Sequence, residues 1–211
     1  DMAKITDPKC KQCRQMGEKL FLRGERCFSP KCGMVKRAYA PGARGKSKRR
    51  GGISEYGQQL KAKQRVKRLY GTLERQFKKY FLQAEAQKGD TRENLLRKLE
   101  TRLDNVIFRA GFAKSRPAAR QLVNHGHILV NGRRVTIPSY EVKAGDMIVL
   151  KDRIKKSRLM ENLATELKKH EEPKWMLLNK ENFELKIVSA PGAEELGDLT
   201  PVGLIVEFYS R

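Results

Sequence analysis

The chain is short of acid. Its 211 residues hold 24 Asp and Glu against 46 Lys and Arg, which leaves a formal charge of +22. It is also sparing in aromatics, at 7% with a single Trp, and in histidine, with three. No apolar run approaches the roughly 20 residues needed to span a bilayer, which excludes a membrane-spanning helix. The stretch DMAKITDPKC has none of the apolar character of a signal peptide, so the expected location is the cytosol, where thiols stay reduced. A cationic surplus of this size calls for a polyanion, because each phosphate met by Lys or Arg releases condensed counterions whatever its sequence context. An anionic membrane surface is the competing partner.

The surplus is uneven. Residues 1–50 carry 15 basic and 4 acidic side chains, and residues 51–170 carry 27 and 12, whereas residues 171–211 carry 4 and 8. The polyanion is therefore expected on the first four fifths of the chain, with the acidic end left as a packing or partner surface.

No cysteine lies outside CKQCRQMGEKLFLRGERCFSPKC, which runs from Cys10 to Cys32. Cys10 and Cys13 form one short knuckle and Cys27 and Cys32 another, a spacing that lets four thiolates converge on one tetrahedral ion. Basic residues directly precede three of them (Lys9, Arg26, Lys31) and favour thiolate. The expected occupant is one structural zinc ion, with an iron–sulfur cluster and disulfides or free thiols as the alternatives. Four protein ligands leave no open position for a catalytic water.

Next comes APGARGKSKRRGG, rich in Gly and base and without apolar anchors. It reads as a basic loop in which Arg44, Lys46, Lys48, Arg49 and Arg50 are candidate phosphate contacts, against a plain solvated linker. A nucleotide-binding P-loop is excluded, since Ala40 stands where the motif ending at Gly45-Lys46-Ser47 needs its first glycine. From Ser54 to about residue 87 the apolar spacing is helical, with a break and a new N-cap at Gly71 and Thr72. Lys61, Lys63, Arg65, Lys67 and Arg68 put five bases into eight residues with no acid among them, beyond what solubility requires.

Residues 98–150 are the most informative. Leu99, Leu103, Val106, Ile107 and Ala110 form one apolar helical stripe ended by Gly111, with Arg102 and Arg109 on a shared flank. Ser115 caps a second helix that tolerates Pro117 in its first turn and stops at Gly126, placing Arg116 and Arg120 on the outer face. Ile128 and Val130 lead into Asn131-Gly132, a strong hairpin signal, with a return strand through Val135 and Ile137 and a further strand at Met147 to Val149. Two short basic helices and a small sheet would make a compact unit whose outward arginines bracket phosphates.

LETRLDNVIFRAGFAKSRPAARQLVNHGHILVNGRRV resembles the RNA-binding module named after small-subunit ribosomal protein four. PGARG, SEYGQQLKAKQRVKRLYG, LERQF, RENLL and IVEFYSR resemble that ribosomal protein family over nearly the whole chain. The resemblance implies direct binding to the 5′ domain of 16S rRNA early in small-subunit assembly. It also implies a place beside small-subunit ribosomal protein five, near the path by which mRNA enters, with an influence on decoding accuracy. Carried onto matching positions, it makes Arg102, Arg109, Lys114, Ser115, Arg116, Arg120, Gln121 and His125 the rRNA-facing candidates. Arg44 stands where the family usually has histidine, and the four cysteines occur in only some members, so a metal there is scaffold.

The expected fold is α+β: a helical N-terminal domain with a metal knuckle, plus a compact two-helix and small antiparallel-sheet RNA-binding module. The expected divisions are a cysteine-rich segment at 1–44, a basic loop and helical domain at 45–97, and the module with a C-terminal helix and strands at 98–211. Leu159, Met160, Leu163 and Leu167 suggest a helix on the sheet, while Trp175–Leu178, Phe183–Val188 and Leu204–Phe208 read as strands, with Trp175 a core anchor. The same module also occurs in RNA-modifying enzymes and some tRNA synthetases. Such a chain needs a catalytic residue set, and nothing outside residues 98–150 supplies one, so the expected role is structural rather than enzymatic.

Overall fold

The computed structural model describes residues 5–42, 45, 52–155, 163–196 and 200–210. The basic candidates Arg44, Lys46, Lys48, Arg49 and Arg50, and the apolar Leu159 and Met160, lie outside the described residues. The chain divides into two units, Asp1–Leu95 with Asp198–Arg211, and Leu96–Gly197.

The first unit is helical. Helix α1 (Lys9–Met16) ends where Gly17 takes a left-handed φ of 79° and its N–H donates to the Cys13 carbonyl. A 3-10 turn (Gly24–Cys27) and the short α2 (Gly33–Lys36) follow. Helix α3 (Glu55–Leu69) starts at the expected Ser54, whose hydroxyl accepts the Gly57 N–H at 3.2 Å. Helix α4 (Glu74–Glu85) buries Phe77, Tyr80, Phe81 and Ala84; its N-cap is Leu73, one residue past the expected Thr72.

The C-terminal segment departs from expectation. Leu204–Phe208 belongs to a helix, α10 (Thr200–Tyr209), and not to a strand. A short apolar run such as Leu204–Phe208 fits either period, and burial decides: Val202 and Ile205, three apart, are buried as α10 packs along α3. Polar contacts lock the pair. Gln59 Nε2 donates to Glu207 Oε2 at 3.1 Å, Tyr209 stacks on Phe81 at 4.5 Å between centroids, and the Tyr209 hydroxyl donates to Glu74 Oε1 at 3.1 Å.

Glu74 is thus a hub. Burial alone would raise its pKa, but hydrogen bonds from Lys63 and Lys67, at 2.6 and 2.8 Å, outweigh that and hold it at about 2. Burial, with Glu74 adding to it, pushes Tyr209 well above its usual value.

The second unit is two-layered. Helix α5 (Thr91–Glu100) leads into it, and α6 (Leu103–Arg109) and α7 (Arg116–Asn124) follow. The stripe from Leu99 to Ala110 is fully buried as expected, but it lies on two helices, not one. The break has a physical cause. Around Arg102 the backbone is extended and bridges Glu141, while the Leu103 N–H donates to the Tyr140 carbonyl and the Thr101 carbonyl accepts the Val142 N–H.

Strands β1 (Ile128–Val130), β2 (Arg133–Arg134), β3 (Met147–Leu150), β4 (Met176–Asn179) and β5 (Glu184–Ile187) form an antiparallel sheet in the order β2-β1-β3-β5-β4. Asn131 and Gly132 both take positive φ, 49° and 76°, as a tight primed turn requires. The return strand ends at Arg134, short of the expected Ile137, which is exposed. Ile128, Val130, Ile148, Leu150, Leu178 and Leu185 meet Val106, Ile107, Ala119 and Val123 in one core, which α9 (Leu163–Lys168) joins through Leu163 and Leu167. Trp175 is a core residue of that cluster, as read from the sequence. Helix α8 (Asp152–Lys155) follows β3 and buries Ile154. Among the described residues no helix is long and apolar enough to cross a membrane.

Replacing Glu74 by Gln should destabilise the first unit by about 1 kcal/mol, a modest figure because its side chain is half exposed. A carboxylate with a depressed folded pKa stabilises above its unfolded value and loses that contribution as pH falls. Between pH 4.5 and 2, thermal melts followed by circular dichroism should therefore fall more steeply for the wild-type chain than for Glu74→Gln.

Candidate nucleic-acid interface

The candidates of the second unit are organised by acids from within. Glu100 and Asp104 are nearly water-free, at 2% and 4% exposure. Arg102 donates to Asp104 through Nε at 3.0 Å and Nη2 at 2.6 Å, and Arg120 reaches the same carboxylate at 3.4 Å. Arg109 grips Glu100 through Nε at 2.9 Å and Nη2 at 2.8 Å, and Asn105 Nδ2 donates to the same carboxylate at 2.8 Å. Asn105 then accepts from Arg116 Nε at 2.7 Å, and the Arg116 guanidinium lies 4.6 Å from the Phe108 ring centroid.

This arrangement corrects one placement. Arg102 is an interior residue, because a buried carboxylate beside it needs a bidentate partner more than the helix flank needs a charge. Ser115 is also buried, with its hydroxyl accepting the Ala118 N–H to start α7. Arg109, Arg116 and Arg120 are half-buried, each held at a fixed angle. Lys114, Gln121 and His125 are exposed, with Lys114 paired to Glu166 at 2.8 Å.

Sequence reading missed a second group of cations. Arg134, Lys151 and Arg153 stand near His125 and His127, whose rings are 5.9 Å apart. Burial first, then these neighbours, lowers the pKa of His127. The Arg134 side chain lies where a Cβ on Gly126 would sit, and Gly126 takes a φ of 69°, a left-handed conformation that favours glycine. The legible signal was the exposed Arg133-Arg134 pair after the Asn-Gly turn.

On the first unit Lys61 is exposed, whereas Lys63 is turned inward to Glu74 and over the rings of Phe208 and Tyr209, which removes it from a phosphate-facing surface. Lys67 shares Glu74, and Arg65 pairs with Glu18. Arg68 has a buried Nη1 without a hydrogen-bond partner among the described residues, and burial lowers its pKa, with Asp7 opposing.

The four cysteines form no disulfide. Cys13, Cys27 and Cys32 are buried and Cys10 is half-buried. The knuckles approach one another: a Cβ on Gly33, beside Cys32, would lie 2.9 Å from that of Cys10. The Arg23 N–H donates to Cys27 Sγ at 3.4 Å. Burial raises the Cys13 thiol, the Leu20 N–H lowers it, and Cys27, Cys10 and Cys32 each raise it further. Among the described residues no group of three or more His, Cys, Asp or Glu stands as a metal site.

A small sheet behind paired basic helices defines an RNA-binding class of module, and comparison with known proteins agrees. Residues 101–148 match the family model described as the S4 domain, and residues 4–100 match that of the ribosomal protein S4/S9 N-terminal domain. The small ribosomal subunit protein uS4 of Natranaerobius thermophilus is 49% identical over 210 residues, covering 100% of both chains. Its namesake from Halothermothrix orenii is 50% identical over 210 residues, and that from Thermosipho africanus 49% over 212, again with both chains covered in full. The chain belongs to the ribosomal protein uS4 family.

If the buried carboxylate is what fixes Arg102 and Arg120, Asp104→Ala removes the buried acid that both guanidinium groups meet. The loss should be about 3–5 kcal/mol, and Arg102→Met with Asp104→Leu should recover most of it. Denaturant unfolding read by Trp175 emission checks this, since the single Trp is buried in that unit.

Proposed function

We propose that the chain is a structural constituent of the small ribosomal subunit that binds the 5′ domain of 16S rRNA directly. The full-length match to uS4 proteins at 49% identity carries the reading. The geometry supports it: arginines locked to internal acids present their remaining surface without a large entropy cost, which suits recognition of folded RNA by shape. Arg109, Lys114, Arg116, Arg120, Gln121 and His125, with Lys61 on the first unit, are the proposed contacts, joined by Arg134, Lys151 and Arg153. The role is architectural, not enzymatic, and is exercised in the cytoplasm. Contacts with small-subunit ribosomal protein five and with mRNA near its point of entry belong to the same reading. The purified chain should prefer a 5′-domain transcript to random duplex of equal length in a filter-binding titration; equal affinity for both would sink the assignment.

One zinc ion on Cys10, Cys13, Cys27 and Cys32 is part of this proposal. The donor chemistry fits: four thiols, three of them buried, with backbone N–H groups donating to Cys27 and Cys13. A divalent cation would reverse the mutual destabilisation of their thiolates and tie together a segment whose own core is only Cys13, Met16, Leu20 and Leu22. Elemental analysis of the natively purified chain should give one zinc per chain, with rRNA affinity falling after chelation. Iron with sulfide would replace zinc by a cluster, and absence of any metal would overturn this part alone.

A further inference from the structure

Between Cys13 and Cys32 the chain displays two aromatic rings that its small core does not use. Leu20 and Leu22 are buried, so Phe21 between them faces outward; Cys27 is buried, so Phe28 after it faces outward too. The rings stack on each other with centroids 5.1 Å apart and planes 29° from parallel. They remain 42% and 75% exposed, Phe28 the most exposed large hydrophobic side chain among the described residues. Phe21 also has a φ of 51°, a left-handed conformation that a bulky side chain adopts at a cost. Solubility and core packing both argue against this arrangement, and two stacked, exposed rings offer a flat face to a ligand.

The surroundings specify that ligand. Lys19, Arg23, Arg26 and Lys31, which flank Phe21 and Phe28 in sequence, are all exposed, and Glu25 is the one acid between them. Aromatic faces set among cations are the recognition surface for unpaired nucleotides, since every base has a π face and every linkage a phosphate. A protein partner's apolar anchor would gain nothing from four cations.

We infer that Phe21 and Phe28 form a stacking platform for an unpaired base of the rRNA, with Arg23 and Arg26 meeting the adjoining phosphates. This deepens the rRNA-binding reading and rests on it. It assigns the cysteine-rich segment a contact with the RNA itself, beyond its role as scaffold.

The test uses the full chain and a 5′-domain transcript. Phe28→Ala should weaken binding about tenfold, Phe28→Leu should weaken it similarly because apolarity without a flat face is not enough, and Phe28→Trp should bind as wild type. The Phe28→Trp emission should be quenched as transcript is added, relative to the wild-type chain, whose only Trp is buried. Equal affinity for Phe28→Ala and wild type, with no quenching of Phe28→Trp, overturns the platform and leaves the rRNA reading standing. Unchanged RNA affinity with a lost contact to another ribosomal protein overturns it in favour of a protein surface. A wild-type chain that shows no preference for the transcript overturns the reading and the platform together.

Discussion

Glu100 and Asp104 sit almost wholly out of water at the start of the module, and a buried carboxylate is tolerable only if hydrogen-bonding cations meet it. Arg102, Arg109 and Arg120 do so, and through Asn105 the constraint extends to Arg116. Much follows from that one requirement. It ties α6 to α7 across the core and fixes guanidinium planes that would otherwise sample many rotamers. It also turns Glu100 and Asp104 inward, where arginines rather than water meet them.

The first unit repeats the device. Glu74 gathers Lys63, Lys67 and the Tyr209 hydroxyl, which fastens the C-terminal helix to the N-terminal helices. The charge of this family member is therefore of two kinds. Some cations hold the scaffold together, and others, such as Lys61, Arg134 and Arg153, are exposed.

What could be read from sequence divides along the same line. Apolar period, caps and the Asn-Gly turn revealed α3, α4, α7, the hairpin and the Trp175 anchor, because each is set by neighbours a few residues away. The break at Arg102 was hidden because its cause lies near Glu141, and the helical state of Leu204–Phe208 because its cause lies on α3. The inward turn of Arg102 and Lys63 was hidden for a related reason. A basic residue on an amphipathic stripe reads as solvent-facing unless the partner acid is known to be buried beside it. The cations around His127 escaped notice because Arg134, Lys151 and Arg153 converge only once the sheet has formed.

If exposed cations bind folded rRNA through its phosphates, affinity must fall steeply with salt. The most direct measurement is the dependence of 5′-domain affinity on salt concentration for the wild-type chain and for Arg134→Ala. A steep negative slope of log affinity against log salt is expected, shallower by about one for the variant, since each neutralised phosphate contributes roughly 0.7 to 0.9. A slope near zero, or one unchanged by the substitution, would contradict it.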